Sequence, residues 1–205
     1  MLLTIDPEQP EPWLIARVVQ TLKRSGIVVV PTDTVYALAC AFEGEDGIER
    51  LYEVKQIPPA KRLSLMVPDI ATASRFIRGI PTPVYRTMRR VLPGPFTFIF
   101  EASRDVPRVM LRKRRTVGIR IPDCPIIQAV LEALGVPLMT TSVTTERGTW
   151  LLDPIEIEAD IGDRVDLVVD GGILANEPST VIDLTGRQPV IVRQGKGDTS
   201  RLDFL

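Results

Sequence analysis

The sequence contains no histidine and only two cysteines among 205 residues. The first absence excludes Ser-His-Asp and Cys-His nucleophile pairs, histidine-ligated zinc and imidazole proton shuttles. The second leaves Cys40 and Cys124, too few for a disulfide framework or a cysteine-based metal site. Aromatic residues are 5% of the chain, and no aromatic ladder of the kind that stacks single-stranded bases is visible. A net charge of −1 gives no overall pull towards nucleic acid or an anionic membrane. No apolar run approaches the roughly 18 residues of a membrane span, and the N-terminus has no signal-peptide pattern. The expected location is therefore cytoplasmic, with no membrane partner. Walker A and Gly-x-Gly-x-x-Gly patterns are also missing. Lys, Arg, carboxylates, hydroxyls and backbone amides remain, a set better suited to phosphates and nucleotides than to peptide hydrolysis.

Hydrophobic residues at 44% and charged residues at 25% describe a compact globular protein. The length suffices for one full core, and no linker, repeat or low-complexity segment divides it. The reading is one domain over residues 1–205, with its core at about 12–196. Apolar periodicity predicts helices at 12–24, 45–56, 70–78, 82–91 and 125–134, and Asp153-Pro154 caps one more. Strands are predicted at 27–30, 35–41, 63–67, 96–100, 116–121, 137–141, 165–169, 180–184 and 190–192. Alternating helices and strands that end in three successive strands define an α/β domain with a mixed sheet.

The segment Gly26 to Tyr36, Gly-Ile-Val-Val-Val-Pro-Thr-Asp-Thr-Val-Tyr, holds the densest signal. A β-branched run reads as a strand buried on both faces, and Pro31 stops its ladder. Thr32, Asp33, Thr34 and Tyr36 follow, where ligands sit in α/β sheets, although a self-satisfied polar turn fits this segment equally well. Other polar groups fall at predicted strand ends: Arg120, Thr141-Ser142, Ser179-Thr180 and Arg193. With Lys55, Lys61 and Arg62 nearby in sequence, they outline a concave site for an anion such as a nucleoside phosphate. The run Arg112 to Arg115 reads as a solvated turn or a nucleic-acid backbone contact. Arg86, Arg89 and Arg90 read as the exposed side of a helix.

Taken in order, these segments resemble the threonylcarbamoyl-AMP synthase family, the YrdC-like α/β fold. The residues carrying the resemblance include Pro31-Thr32-Asp33-Thr34-Val35-Tyr36, Lys55-Gln56, Pro93-Gly94-Pro95-Phe96-Thr97 and Arg120-Ile121-Pro122. Thr141-Ser142, Ser179-Thr180-Val181-Ile182-Asp183-Leu184 and Val192-Arg193 complete it. The resemblance implies a single YrdC-like domain: a twisted mixed β-sheet with flanking helices and a concave basic cavity. It further implies L-threonylcarbamoyladenylate synthesis from ATP, L-threonine and bicarbonate, with pyrophosphate released, as a step of tRNA modification. Thr32, Thr34, Tyr36, Arg120 and Thr141 would then meet the substrate, with Lys55 and Thr32 nearest the chemistry. Lys55, Lys61, Arg62, Ser142, Thr144, Ser179 and Arg193 would hold the nucleotide, and Mg²⁺ would arrive with the phosphates. No metal ligand set is expected from the protein alone.

Departures from the family pattern point towards its YciO branch. Ile57 stands where the family has the Arg of Lys-x-Arg, and Thr144 where it has the Asn of Ser-Ala-Asn. Cys124 replaces the usual His, and Ala37 the usual Gly. Two functions therefore stay open from the sequence. One is a nucleotidyltransferase of the synthase type; the other is a YciO-like protein that binds nucleotide, double-stranded RNA or tRNA without synthase activity.

Overall fold

A computed structural model describes residues 1–56, 63–106, 111 and 115–204. Ile57, Lys61, Arg62 and Arg112 to Arg114, singled out in the sequence, lie outside them. Among the described residues ten strands make one mixed sheet in a single α/β domain. In chain order they are β1 (Leu2–Thr4), β2 (Val28–Val30), β3 (Ala37–Ala41), β4 (Ser64–Met66), β5 (Phe96–Glu101) and β6 (Thr116–Arg120), followed by β7 (Leu138–Ser142), β8 (Leu167–Asp170), β9 (Thr180–Asp183) and β10 (Val190–Arg193). The helices are α1 (Pro12–Lys23), α2 (Glu45–Lys55), α3 (Ile70–Phe76), α4 (Thr82–Val91), α5 (Pro125–Leu134) and α6 (Pro154–Ile161). Across the sheet the order is β1-β8-β2-β3-β7-β4-β6-β5-β9-β10.

Local chemistry sets the helix ends. Proline at the first turn starts α1, α5 and α6, where its missing N–H costs nothing. Asp153 caps α6 by accepting from Ile155 N at 2.8 Å, and Asp69 caps α3 by accepting from Thr72 N at 2.6 Å. Helix α1 closes through Gly26 N, which donates to Thr21 O at 3.1 Å. A Cβ on Gly26 would sit 2.6 Å from that same oxygen, so the closure requires glycine there.

Three elements differ from the periodicity by two residues, and β3 is one of them, beginning at Ala37 and not at 35. Helix α3 stops at Phe76 because Ile77 turns extended and forms an antiparallel bridge with Ala102. Strand β8 starts at Leu167, since Asp166 is used as an anchor: its carboxylate accepts from Ile27 N at 2.7 Å and from Arg50 at 2.6 Å. Strand β1 is an addition that the sequence reading does not contain. It is short, and its partner β8 is 166 residues away in the Leu2–Val168 pair (168 − 2).

Period-two alternation divides the core between the sheet's faces. Leu38, Leu65, Phe98, Ile119 and Met139 point to one face, where α2, α3, α4 and α6 bring Leu51, Phe76, Met88 and Ile157. The opposite face is split. Over β8, β2 and β3 it carries Val28, Val30, Ala39 and Leu167 beneath α1 and α5. Farther along, over β7, β4, β6, β5 and β9, the residues aligned across the ladders are Thr140, Ser64, Gly118, Ile99 and Asp183, all but Ile99 small or polar. That half of the face is the floor of a cavity.

Leu65 is fully buried at the centre of the helix-covered face. Leu65→Ala should cost about 2–5 kcal/mol in urea denaturation, since both transfer energy and packing are lost. A loss under about 1 kcal/mol would show that the central strands are not part of the cooperative core.

Candidate functional site

The cavity has a volume of about 760 Å³, within the range usual for small-molecule sites. Among the described lining residues its cations are Lys55 at the end of α2, Arg120 at the end of β6 and Arg193 at the end of β10. Asp183 is the single carboxylate among the described lining residues. Hydroxyls come from Ser64, Thr97, Thr140, Thr141, Ser142, Thr144 and Ser179. Gly118 keeps the floor low, because a Cβ there would lie 3.2 Å from Ser64 Oγ and 3.4 Å from Thr97 Cγ2.

Arg120 is the most buried cation of the site. Its Nη2 donates to Asp33 Oδ1 at 2.7 Å and to Thr34 Oγ1 at 2.9 Å. The Arg120 and Asp33 side chains are only 8% and 6% exposed. Burial pushes the Arg120 pKa down, and the Asp33 carboxylate opposes that shift. Asp33 Oδ2 and Arg120 Nε remain buried without a hydrogen-bond partner among the described residues. The loop is braced from within: Thr32 Oγ1 donates to Val35 O at 2.7 Å and lies 3.0 Å from Thr34 Oγ1. Lys196 Nζ reaches across to Asp33 O at 2.7 Å.

The far wall is a second network. Arg193 Nε donates to Ser179 O at 3.0 Å, and its Nη2 to Ser179 Oγ at 3.1 Å. Ser179 Oγ is 2.8 Å from Thr97 Oγ1. Burial lowers the Arg193 pKa as well. On the near side Lys55 Nζ donates to Thr144 Oγ1 and, at 3.4 Å, to Thr144 O. The chain therefore brings Lys55, Arg120, Thr141, Ser142, Thr144, Ser179 and Arg193 to one concavity, from five stretches of sequence.

Thr32, Thr34 and Tyr36 are placed differently. All three are buried, at 3%, 2% and 0% exposure, and none lines the cavity. Thr34 acts behind the wall, as a partner of Arg120. Tyr36 points to the helix-covered side, where its hydroxyl donates to Gly172 O at 2.7 Å and accepts from Gly171 N at 3.2 Å. Desolvation pushes its pKa up to about 12.

Sequence reasoning did not select Ser64, Thr97, Gly118, Thr140, Trp150, Asp183 or Lys196 as site residues, and it placed Asp33 in the polar loop without a role of its own. A signal existed for four of them. Ser64, Thr97, Gly118 and Thr140 alternate with Leu65, Phe98, Ile119 and Met139 in the strands. Small and polar residues on the sequestered face of central strands mark a surface left open for a ligand.

With this geometry defined, comparison with known proteins places the chain. The family model described as "Telomere recombination" (Sua5/yciO/yrdC) matches residues 20–195, and the chain belongs to that family. It is 39% identical over 196 residues to the YciO protein of Escherichia coli strain K12, covering 95% of each chain. The crystal structure of E. coli YciO superposes with a TM-score of 0.93 at 38% identity, over 98% of both chains. The threonylcarbamoyl-AMP synthase of Marinobacter nauticus is 29% identical over 191 residues, 89% of this chain and 98% of that one. The crystal structure of P. abyssi Sua5 complexed with L-threonine gives a TM-score of 0.93 at 25% identity, covering 100% of this chain and 62% of that one.

Two predictions follow from the networks. Asp33→Asn strands a buried guanidinium and should cost about 3–5 kcal/mol in chemical denaturation, whereas Asp33→Leu combined with Arg120→Met should restore much of it. Equal losses in both variants would mean that the pair acts by shape and not by charge. Tyr36 holds its proton more tightly when folded. Its contribution is therefore complete below pH 10 and is lost as pH rises towards about 12. Wild type should lose more stability than Tyr36→Phe between those pH values, by about 2–3 kcal/mol; parallel curves would contradict the assignment.

Proposed function

We propose that the cavity binds ATP and L-threonine and joins them through bicarbonate as a threonylcarbamoyl-AMP synthase. The observation that carries this reading is the convergence of Lys55, Arg120 and Arg193 with seven hydroxyl side chains around a cavity of about 760 Å³. Fixed cations neutralise phosphate charge, and hydroxyls orient a small polar amino acid.

In the reaction the neutral threonine amine attacks the bicarbonate carbon, and water leaves to give the carbamate. A carbamate oxygen then attacks the α-phosphorus of ATP. The bond from that phosphorus to the bridging oxygen breaks, and pyrophosphate departs with the electron pair. Neither step needs a histidine. Lys55 and Arg193 offset charge on the nucleotide, Arg120 faces the threonine carboxylate, and Thr141, Ser142 and Ser179 fix orientation. Thr34 and Thr32 support the reaction by holding Arg120 and its loop in position. Mg²⁺ carried with the phosphates would find Asp183 as the single carboxylate among the described lining residues and would supply further neutralisation of phosphate charge.

The test is incubation with ATP, L-threonine and bicarbonate, with pyrophosphate measured. Threonine-dependent release is expected, and Arg193→Met should weaken ATP binding about tenfold, as loss of a charge-assisted hydrogen bond does. ATP binding without threonine-dependent pyrophosphate would favour a second reading, a nucleotide- or RNA-binding protein without synthase activity. The Lys55 contact with Thr144 favours that reading, because it engages the ammonium group within the protein. Duplex RNA or tRNA held by such a protein should lose affinity steeply with salt; salt-independent retention would exclude backbone binding.

A further inference from the structure

Trp150 is the one aromatic side chain among the described residues that line the cavity. It lies on a loop between β7 and α6, and its backbone bridges antiparallel to Thr144, the residue that holds Lys55. Alternation along this extended piece sends Leu151 against the core of the helix-covered face, and Trp150 to the cavity. The indole belongs to neither hydrophobic cluster and stacks on no other described ring. Its N–H donates no hydrogen bond to a described residue. It is half-buried. A half-buried aromatic surface outside both hydrophobic clusters, facing the cavity that also holds a fixed ammonium group, is matched by a planar ring that carries an anion.

We propose that Trp150 is the platform on which the base of the bound nucleotide stacks. The proposal rests on the nucleotide reading of the cavity and adds to it the residue that recognises the base. Stacking on an indole face accepts any nucleobase, because each has a π-surface, and it gives nothing to pyrophosphate or to ribose phosphate. The contact thus separates base recognition at Trp150 from charge neutralisation at Lys55 and Arg193.

The chain has two tryptophans, and the other, Trp13, is 64% exposed on α1, outside the cavity. Trp13→Phe therefore leaves Trp150 as the sole indole reporter. In that protein ATP, AMP and adenosine should quench or shift the emission. Pyrophosphate and ribose 5-phosphate should leave it unchanged, even where thermal shift shows that they bind. Trp150→Ala should weaken ATP binding about tenfold and leave pyrophosphate affinity as it was, with Trp150→Phe in between. ATP that raises the melting temperature without altering Trp150 emission overturns the stacking proposal alone and leaves the nucleotide reading standing. No thermal shift with ATP, AMP or pyrophosphate overturns both. Equal weakening of ATP and pyrophosphate in Trp150→Ala also overturns stacking, because it assigns the indole to shaping the cavity.

Discussion

The buried ion pair between Arg120 and Asp33 is the constraint on which the site depends. Strand β6, which ends in Arg120, lies four places from β2, which leads into the Asp33 loop. In a flat sheet four steps span about 19 Å, yet the two side chains meet at 2.7 Å. A guanidinium cannot reach that far. The sheet must therefore coil, and the loop after β2 must fold over its face. The concavity, the burial of Thr34 and the placement of the other hydroxyls all share that geometry.

Division of labour between the sheet's two halves follows from side-chain size. Where the split face carries valine, alanine and leucine, α1 and α5 cover it and nothing can bind. Where the ladders present Ser64, Gly118, Thr97 and Thr140, the surface stays low and polar and becomes the floor of a pocket. The opposite face is apolar throughout the central strands, so the floor rests on a continuous hydrophobic layer. Such backing holds hydroxyls and cations in fixed positions, and preorganisation of this kind is what charge neutralisation at a phosphate requires.

Much of this was legible in the residue pattern. Apolar periodicity located nearly every helix and strand, because each buries a face with its own period. Strand β1 was not legible, since three residues carry no period and their partner is remote. The site was legible where polar residues end a strand, as at Arg120, Ser142, Ser179 and Arg193. It was hidden where a residue works through its neighbour. Asp33 reads as a turn former, and only the fold shows it neutralising Arg120. Tyr36 reads as a ligand contact beside the threonines, but strand alternation turns it away and binds its hydroxyl to the Gly171-Gly172 backbone. Trp150 lies in a loop with no repeating pattern, so its neighbours in sequence do not show which way it faces.

The contact of Lys196 with the Asp33 carbonyl joins residues 163 apart in sequence. During synthesis at roughly 5–20 residues per second, the loop waits on the order of 10–30 s for that partner to be made. Strand β1 waits similarly for β8. A nascent chain can therefore assemble its central strands early while the rim of the pocket is still open. The pocket closes only as the last strands and the segment beyond them arrive, so a ribosome-bound fragment ending before β9 carries the β4 to β7 part of the floor without Asp183 or the Arg193 wall.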